Sequence, residues 1–399
     1  MSDQVRRPPV ADWATDFDHY ADDYIDDPHV IHAEARAQCP VAHSDRYGGV
    51  VVPLTYEHNA AVAHDTETFT SRRIVVSETP TDRRGIILPP INLDPPDHTE
   101  PRRAMLPFFN PTNVRYWEPT IREICKRHLD AFSGDRVDLA GDYAKHVPGD
   151  LTARMFGVPP SEADQFRTWV YEILEVGPTD LEVERRATNE VVAYMRGLID
   201  ERRDQPRGDD FVSYLFDQEI DGEPISDEAM AKMLLLLLVA GIDTTWSALG
   251  ASFWHLANHD EDRQRLVDDP SLIPVATEEL LRAYGPVTVA RIATKDTELG
   301  GCPVAAGEWV MLNLLAANRD PEVFDDPDEV IIDRTKNRHA AFGLGVHRCL
   351  GSNLARIEMH IAIEMLLERY PNFSAVPGAD PEWSAGTVRG PRSVPVILS

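Results

Sequence analysis

The decapeptide Phe342-Gly343-Leu344-Gly345-Val346-His347-Arg348-Cys349-Leu350-Gly351 concentrates more chemistry than any other stretch of the chain. Its glycines free the backbone to turn sharply, and two basic residues, His347 and Arg348, precede Cys349. An apolar, helix-favouring run follows (Leu354, Ala355, Ile357, Met359, Ile361), so the thiol is expected just before a helix N-terminus. Cationic neighbours and the positive end of a helix dipole both favour a thiolate, and a thiolate is a metal ligand. The competing reading is a buried structural cysteine in a Gly-rich turn. The spacing Phe-x-x-Gly-x-x-x-Cys-x-Gly, met in full here, favours the ligand.

A second pairing of unusual residues is Ala240-Gly241-Ile242-Asp243-Thr244-Thr245. Asp and Thr are poor helix-interior residues, and Gly costs about 1 kcal/mol against Ala there. Yet the flanks are Leu-rich on one side and carry Trp246, Leu249 and Phe253 on the other, which makes this the centre of a buried helix. A purely structural account would have a Thr hydroxyl bond back to the preceding turn and Asp243 pair with a basic group. Both roles are compatible with chemistry at the same residues.

Three smaller spacings complete the set. His98 and Arg102 stand four apart after Asp94-Pro95-Pro96-Asp97, so they share one helix face and suit an anionic group. Glu279 and Arg282 stand three apart on an apolar helix and form an ion pair there. Arg291 lies nine residues after Arg282 in a strand-like stretch, and Arg334 follows a Pro- and Asp-rich meander.

Together these segments resemble the cytochrome P450 superfamily, in its soluble bacterial form, with five motifs in order along nearly the whole chain. The resemblance implies a mainly α-helical fold with a smaller β region, one domain over residues 1–399, and no fused reductase. It implies haem b, with Cys349 as the axial ligand of the iron, and thiolate ligation of this kind favours O–O cleavage. His98, Arg102, Arg291 and His347 would neutralise the propionates. Glu279, Arg282 and Arg334 would form a buried structural triad near the haem, with Phe342 beside the ligand loop. Asp243 and Thr244 would handle oxygen and protons. Pocket positions of soluble relatives fall on Ile86, Leu88, Ile91, Leu236, Val239, Val287, Val289, Thr387 and Val388, almost all apolar. That points to hydroxylation or O-dealkylation of a small to medium terpenoid or substituted aromatic. Arg72, Arg73, Arg83 and Arg84 offer a capture site for a carboxylate as the alternative, against which solvated loop arginines are the favoured reading. A peroxide-driven peroxygenase and a non-catalytic haem-thiolate sensor or carrier are the rival activities; the Asp243-Thr244 pair counts against the first.

The elements that must position these residues are legible in outline. From Ser226, an N-cap followed by Asp227 and Glu228, to about Ala257 only two glycines interrupt helical composition. About 32 residues at 1.5 Å each give a helix of roughly 48 Å, enough to cross the molecule. Helical spacing is also expected near 31–37, 56–63 and over most of 114–203, with breaks at Ser133-Gly134-Asp135, Gly157-Val158-Pro159-Pro160 and Gly177-Pro178. Strands are expected at Val50–Leu54, around 284–314 and at Val394–Leu398, and a long loop at 70–93.

The 399 residues carry 43% hydrophobic side chains and a formal net charge of −28, which argues against nucleic acid or an anionic membrane as partner. The N-terminal stretch is polar and has no apolar anchor, and the four cysteines show no Cys-x-x-Cys pair, so a reducing cytoplasm fits and neither disulfides nor zinc are expected. Between Arg334 and Arg356 the charge reverses: Arg334, Lys336, Arg338, Arg348, Arg356, His339 and His347 occur with no Asp or Glu. Lys336, Arg338, Arg348 and His339 are expected at the surface near Cys349, where an acidic iron–sulfur ferredoxin or a flavin protein would dock as electron donor.

Overall fold

A computed structural model describes residues 8–76, 86–379 and 381–399, and helices dominate it. The longest runs from Asp227 to Asn258, with the Ser226 side chain accepting the Ala229 N–H and Asp227 and Glu228 at the positive end of its dipole. By length and composition this helix could cross a membrane, but 61% of its apolar window is buried inside the protein, as befits a core helix. It packs against the helices His146–Met155, Leu181–Arg202, Ile273–Tyr284 and Ser352–Arg369. Tyr143, in residues 139–144, stacks on Phe253 of this helix at 5.6 Å.

Helix ends fall where the composition places them. The Tyr56–His64 helix is capped by Thr55, and the Leu181–Arg202 helix by Asp180 after the break at Gly177-Pro178. Residues 139–144 and 172–176 are wound as π-helix, an irregularity the spacing of apolar residues does not reveal.

The main sheet has five strands in the order Val41–Ser44, Val50–Pro53, Trp309–Leu312, Val289–Ala293 and Phe69–Thr70. Its alternation is strict. Val50, Val52, Trp309 and Met311 enter one cluster with Phe17, Tyr24 and Ile31, while Val41, Val51, Val310 and Leu312 enter another with Val62, Leu299 and Val304. Successive side chains point to opposite faces, so a sheet covered on both sides needs unbroken runs such as Val50-Val51-Val52. Strand Arg136–Asp138, by contrast, falls in a stretch that reads as helical with a break. It exists because it pairs with Pro395–Leu398, far away in the chain, a partner no local pattern shows.

Candidate active site

The loop around Cys349 is built by its glycines. Gly343 and Gly345 hold φ of 74° and 68°, values L side chains rarely adopt, and a Cβ on Gly345 would lie 2.1 Å from the Ala63 carbonyl oxygen. The loop is thereby pressed onto the end of the Tyr56–His64 helix. Phe342 O accepts the Cys349 N–H at 2.7 Å, and the Arg356 guanidinium covers the Phe342 ring at 4.4 Å. The helix Ser352–Arg369 starts three residues on, as expected.

The neighbours of Cys349 act in the expected direction, but burial opposes them. Burial pushes the Cys349 thiol up, and this outweighs the Gly351 N–H and the charges of Arg102, Arg348 and Arg356, which all act to lower it. Cys349 is nonetheless accessible. Protein is packed around the sulfur while the residue keeps exposed surface. Cationic neighbours alone therefore do not make this a thiolate; a metal cation bonded to the sulfur would.

His98, Arg102, Arg291 and His347 are brought together by the fold. The His98 and His347 rings meet edge to face at 4.5 Å, and burial followed by the charges of Arg291, His98 and Arg102 holds His347 at about 3. Arg291 is 4% exposed, and among the described residues its side chain donates only from Nη1 to Ala290 O. Arg102 donates to Arg348 O. Nε2 of both histidines is buried without a partner. Asp94, the nearby acid, already accepts from Thr70 Oγ1 and from Ser71 N. Buried donors normally find acceptors. Among the described residues the two ring nitrogens find none and the two guanidinium groups find one carbonyl each; donors converging with so few acceptors fit the carboxylates of a haem, so the residues present suit that group.

Glu279, Arg282 and Arg334 form the opposite kind of cluster. Glu279 takes two bonds from Arg282 at 2.7 and 2.8 Å and two from Arg334 Nε at 3.1 Å, with Ile331 N and Asn337 Nδ2 added. The remaining N–H groups of Arg282 reach the carbonyls of Asn318, Pro327 and Glu329. Arg334 reaches those of Asp325, Asp326 and Glu329.

At the centre of the long helix both structural roles foreseen for the acid–alcohol pair occur. Thr244 Oγ1 donates to Ala240 O at 2.7 Å, and Asp243, 2% exposed, pairs with Arg392 at 2.9 Å. Arg392 also holds Glu175 at 2.6 Å and Ser247 at 3.0 Å, and lies over Trp246. Burial raises both carboxyls, and the Asp243 charge raises Glu175 further. Glu175 and Arg392 were not legible as site residues; only the need for some basic partner of Asp243 was. A Cβ on Gly241 would meet nothing nearer than 3.7 Å, whereas one on Gly390 would strike Ser247 at 2.3 Å. Gly390 is thus required by packing and Gly241 is not. Ala240 is exposed, and Gly241 and Thr244 are half-buried, so this face of a core helix borders open space.

Of the pocket positions, Val287 and Val388 are joined in a β-bridge, with Thr288 N donating to Thr387 O at 2.9 Å. Leu88 and Val239 pack on the main core, Val289 packs on a sheet cluster, and Ile91 and Leu236 are half-buried. Ile86 departs from the expectation, being 42% exposed. Arg72 is exposed, Arg73 lies over the Trp309 ring, and Arg83 and Arg84 lie outside the described residues. Around the loop, Lys336, Arg338 and Arg348 are exposed as expected. His339 is not: its side chain is 3% exposed and is bonded to Glu278, which also holds Arg356.

Comparisons with known proteins agree with this geometry. The family model for cytochrome P450 matches residues 164–270 and 271–389. The mycinamicin IV hydroxylase/epoxidase of Micromonospora griseorubida is 36% identical over 315 residues, 77% of this chain and 79% of that one. The vitamin D3 dihydroxylase of Streptomyces griseolus is 35% identical, covering 77% and 76%. Among solved structures, the bacillaene polyketide synthase cytochrome P450 PksS of Bacillus subtilis 168 superposes with a TM-score of 0.89 at 29% identity over 96% of this chain and 100% of that one. A mutant of P450 EryK in complex with erythromycin B gives 0.83 at 31% identity, covering 92% and 95%. The family binds haem b through a cysteine thiolate, and this chain belongs to it: it is a cytochrome P450, a monooxygenase of the oxidoreductase class.

Proposed function

We propose that Cys349 is the thiolate ligand of the haem iron and that His98, Arg102, Arg291 and His347 hold the propionates. The reading is carried by the cluster of buried donors beside an accessible cysteine in a glycine-turned loop, with Nε2 of His98 and His347 unpartnered. Bound haem supplies activation of O2 with two delivered electrons, so that one oxygen atom enters an organic substrate.

The chain's own residues have defined tasks. Cys349 must lose a proton that burial would otherwise retain, and Arg102, Arg348 and the Gly351 N–H ease that loss. The propionate-binding residues fix the orientation of the group, and Glu279 with its two arginines fixes the backbone around it. Proton delivery is assigned to Asp243 and Thr244, at the centre of the long helix. Arg392 bridges Asp243 and Glu175 and holds the two carboxyl groups side by side. Thr244 spends its O–H on Ala240 O and keeps its lone pairs for a water or substrate oxygen.

Leu88, Ile91, Leu236, Val239, Val287, Val289 and Val388, with Thr387, give the pocket an apolar lining. This supports hydroxylation or O-dealkylation of a largely apolar molecule, of terpenoid or substituted-aromatic type. Relatives named for mycinamicin IV and vitamin D3 support the bulkier end of that range. We read the chain as a cytoplasmic catalytic domain that receives electrons from a ferredoxin or flavoprotein on the face of Lys336, Arg338 and Arg348, beside exposed Val346.

The test compares turnover driven by reductant and electron-transfer proteins with turnover driven by peroxide alone, in wild type and Thr244→Ala. Monooxygenation predicts donor-driven product formation, with roughly tenfold less product per electron in the variant and hydrogen peroxide in its place, as expected when a positioned proton-handling group worth ~10²–10⁴-fold is partly lost. Peroxide-driven turnover alone, untouched by the substitution, would establish a peroxygenase.

A further inference from the structure

Cys39 and Cys302 are 263 residues apart in the chain, and the fold brings their sulfurs to 3.9 Å. Cys39 ends the Pro28–Gln38 helix and leads into the first strand of the main sheet. Cys302 opens the second arm of the hairpin Thr297–Leu299/Cys302–Val304, paired with Leu299. That hairpin is pressed against the first strand: at Gly300, with φ of 58°, a Cβ would lie 2.9 Å from Val41 Cγ2 and 2.7 Å from His58 Nε2. Both thiols converge on the Val41 carbonyl, at 3.1 Å from Cys39 and 3.9 Å from Cys302. Val41, Leu299 and Val304 are buried in one apolar cluster, which fixes the approach.

We propose that Cys39 and Cys302 are a redox-active dithiol that closes to an intramolecular disulfide in reaction with a low-molecular-weight disulfide such as glutathione disulfide. One cysteine thiolate attacks the reagent, forming a mixed disulfide and releasing one glutathione thiolate. The second cysteine, deprotonated in its turn, attacks the protein sulfur of that bond and releases the other. Two protein thiols are oxidised, one glutathione disulfide is reduced to two glutathiones, and both protons end on the leaving thiolates. The sulfurs need only close from 3.9 Å to about 2.05 Å. Burial and the Cys39 sulfur push the Cys302 thiol up. Both residues are half-buried and reachable by a small reagent. Cys125 is fully buried with its thiol pushed up to about 12, so selectivity is built in. The bond would tie the N-terminal helix and strand to the hairpin across a very long loop, the case in which loop closure restrains the unfolded chain most.

The experiment equilibrates the haem-loaded enzyme in glutathione buffers of rising disulfide fraction, blocks free thiols, and maps peptides without reduction. The expected result is a cross-linked peptide pair carrying Cys39 and Cys302, with a mass 2 Da below the two thiol peptides and a thermal midpoint raised by on the order of 5 °C. In Cys39→Ser and in Cys302→Ser the midpoint shift is lost and a glutathione adduct persists on the remaining cysteine. Cys39 and Cys302 recovered free in the wild type, or as glutathione adducts that never close, would overturn the proposal. The wild-type map decides the matter even if one variant fails to fold.

Discussion

Two polar clusters in this protein differ in whether their donors and charges are matched within the chain. Around Glu279 every N–H of Arg282 meets an acceptor, and the carboxylate is shared between two guanidinium groups. Around His98, Arg102, Arg291 and His347 the side chains are all basic, two ring nitrogens have no partner, and among the described residues no carboxylate pairs with any of the four. Burial costs apply to both. The first cluster offsets its cost inside the protein and so holds the backbone; the second leaves the cost standing, which makes sense only where an anion from outside is to be bound. A closed network is scaffold, an open one is site.

The sharpest way to break this comparison is to open the closed cluster. Glu279→Ala strands two buried arginines, and removal of one partner from a buried pair costs about 3–5 kcal/mol, against a total stability of roughly 5–15 kcal/mol. The expected outcome is no folded haem protein at 37 °C, read by expression and circular dichroism. Normal yield and melting would show that the cluster is not scaffold.

Cys349→Ser tests the other side. The strongly red-shifted Soret band of the reduced, carbon monoxide-bound enzyme and all donor-driven turnover should vanish, while the circular dichroism spectrum stays that of the wild type. Survival of the band would remove Cys349 as ligand; the same substitution at Cys39, Cys125 or Cys302 should keep it.

Arg291→Leu removes an uncompensated buried cation. A hydrogen bond to a charged group contributes ~1.5–3 kcal/mol, so transfer of haem to an acceptor protein should be about ten- to a hundredfold faster. The thermal midpoint of the apoprotein should stay level or rise, because desolvation of an unpaired charge is relieved. A less stable apoprotein with unchanged haem retention would mean that Arg291 belongs to the scaffold.

The smallest effect concerns Glu278, the neighbour of Glu279 on the same helix. Burial acts to raise its carboxyl, but bonds from Arg356 and His339 outweigh that and hold it at about 2, below its ordinary 4.5. A carboxyl depressed in the folded state adds stability that is present above pH 4.5 and lost as pH falls through about 2. Glu278→Gln should therefore cost roughly 1 kcal/mol at neutral pH after solvent screening, with the difference from wild type shrinking below pH 4.5. A difference independent of pH would assign the effect to packing.

The sequence by itself determined the residue types that carry the chemistry and the helices and strands that hold them. Cys349 in its glycine-rich loop, the Asp243-Thr244 pair in a 32-residue helix and the Glu279/Arg282 spacing are all local patterns, set by a few neighbours and a helical period. What the tertiary structure decided is every relation between distant segments. It chose Arg392 and Glu175 as partners of Asp243, buried His339 against Glu278, paired Arg136–Asp138 with the last strand and set Cys39 beside Cys302. It also set burial against the cationic neighbours of Cys349, because desolvation depends on how much protein folds around the sulfur. Charge order along a chain records which groups are available; desolvation and distance, which exist only once the chain is folded, decide what those groups do.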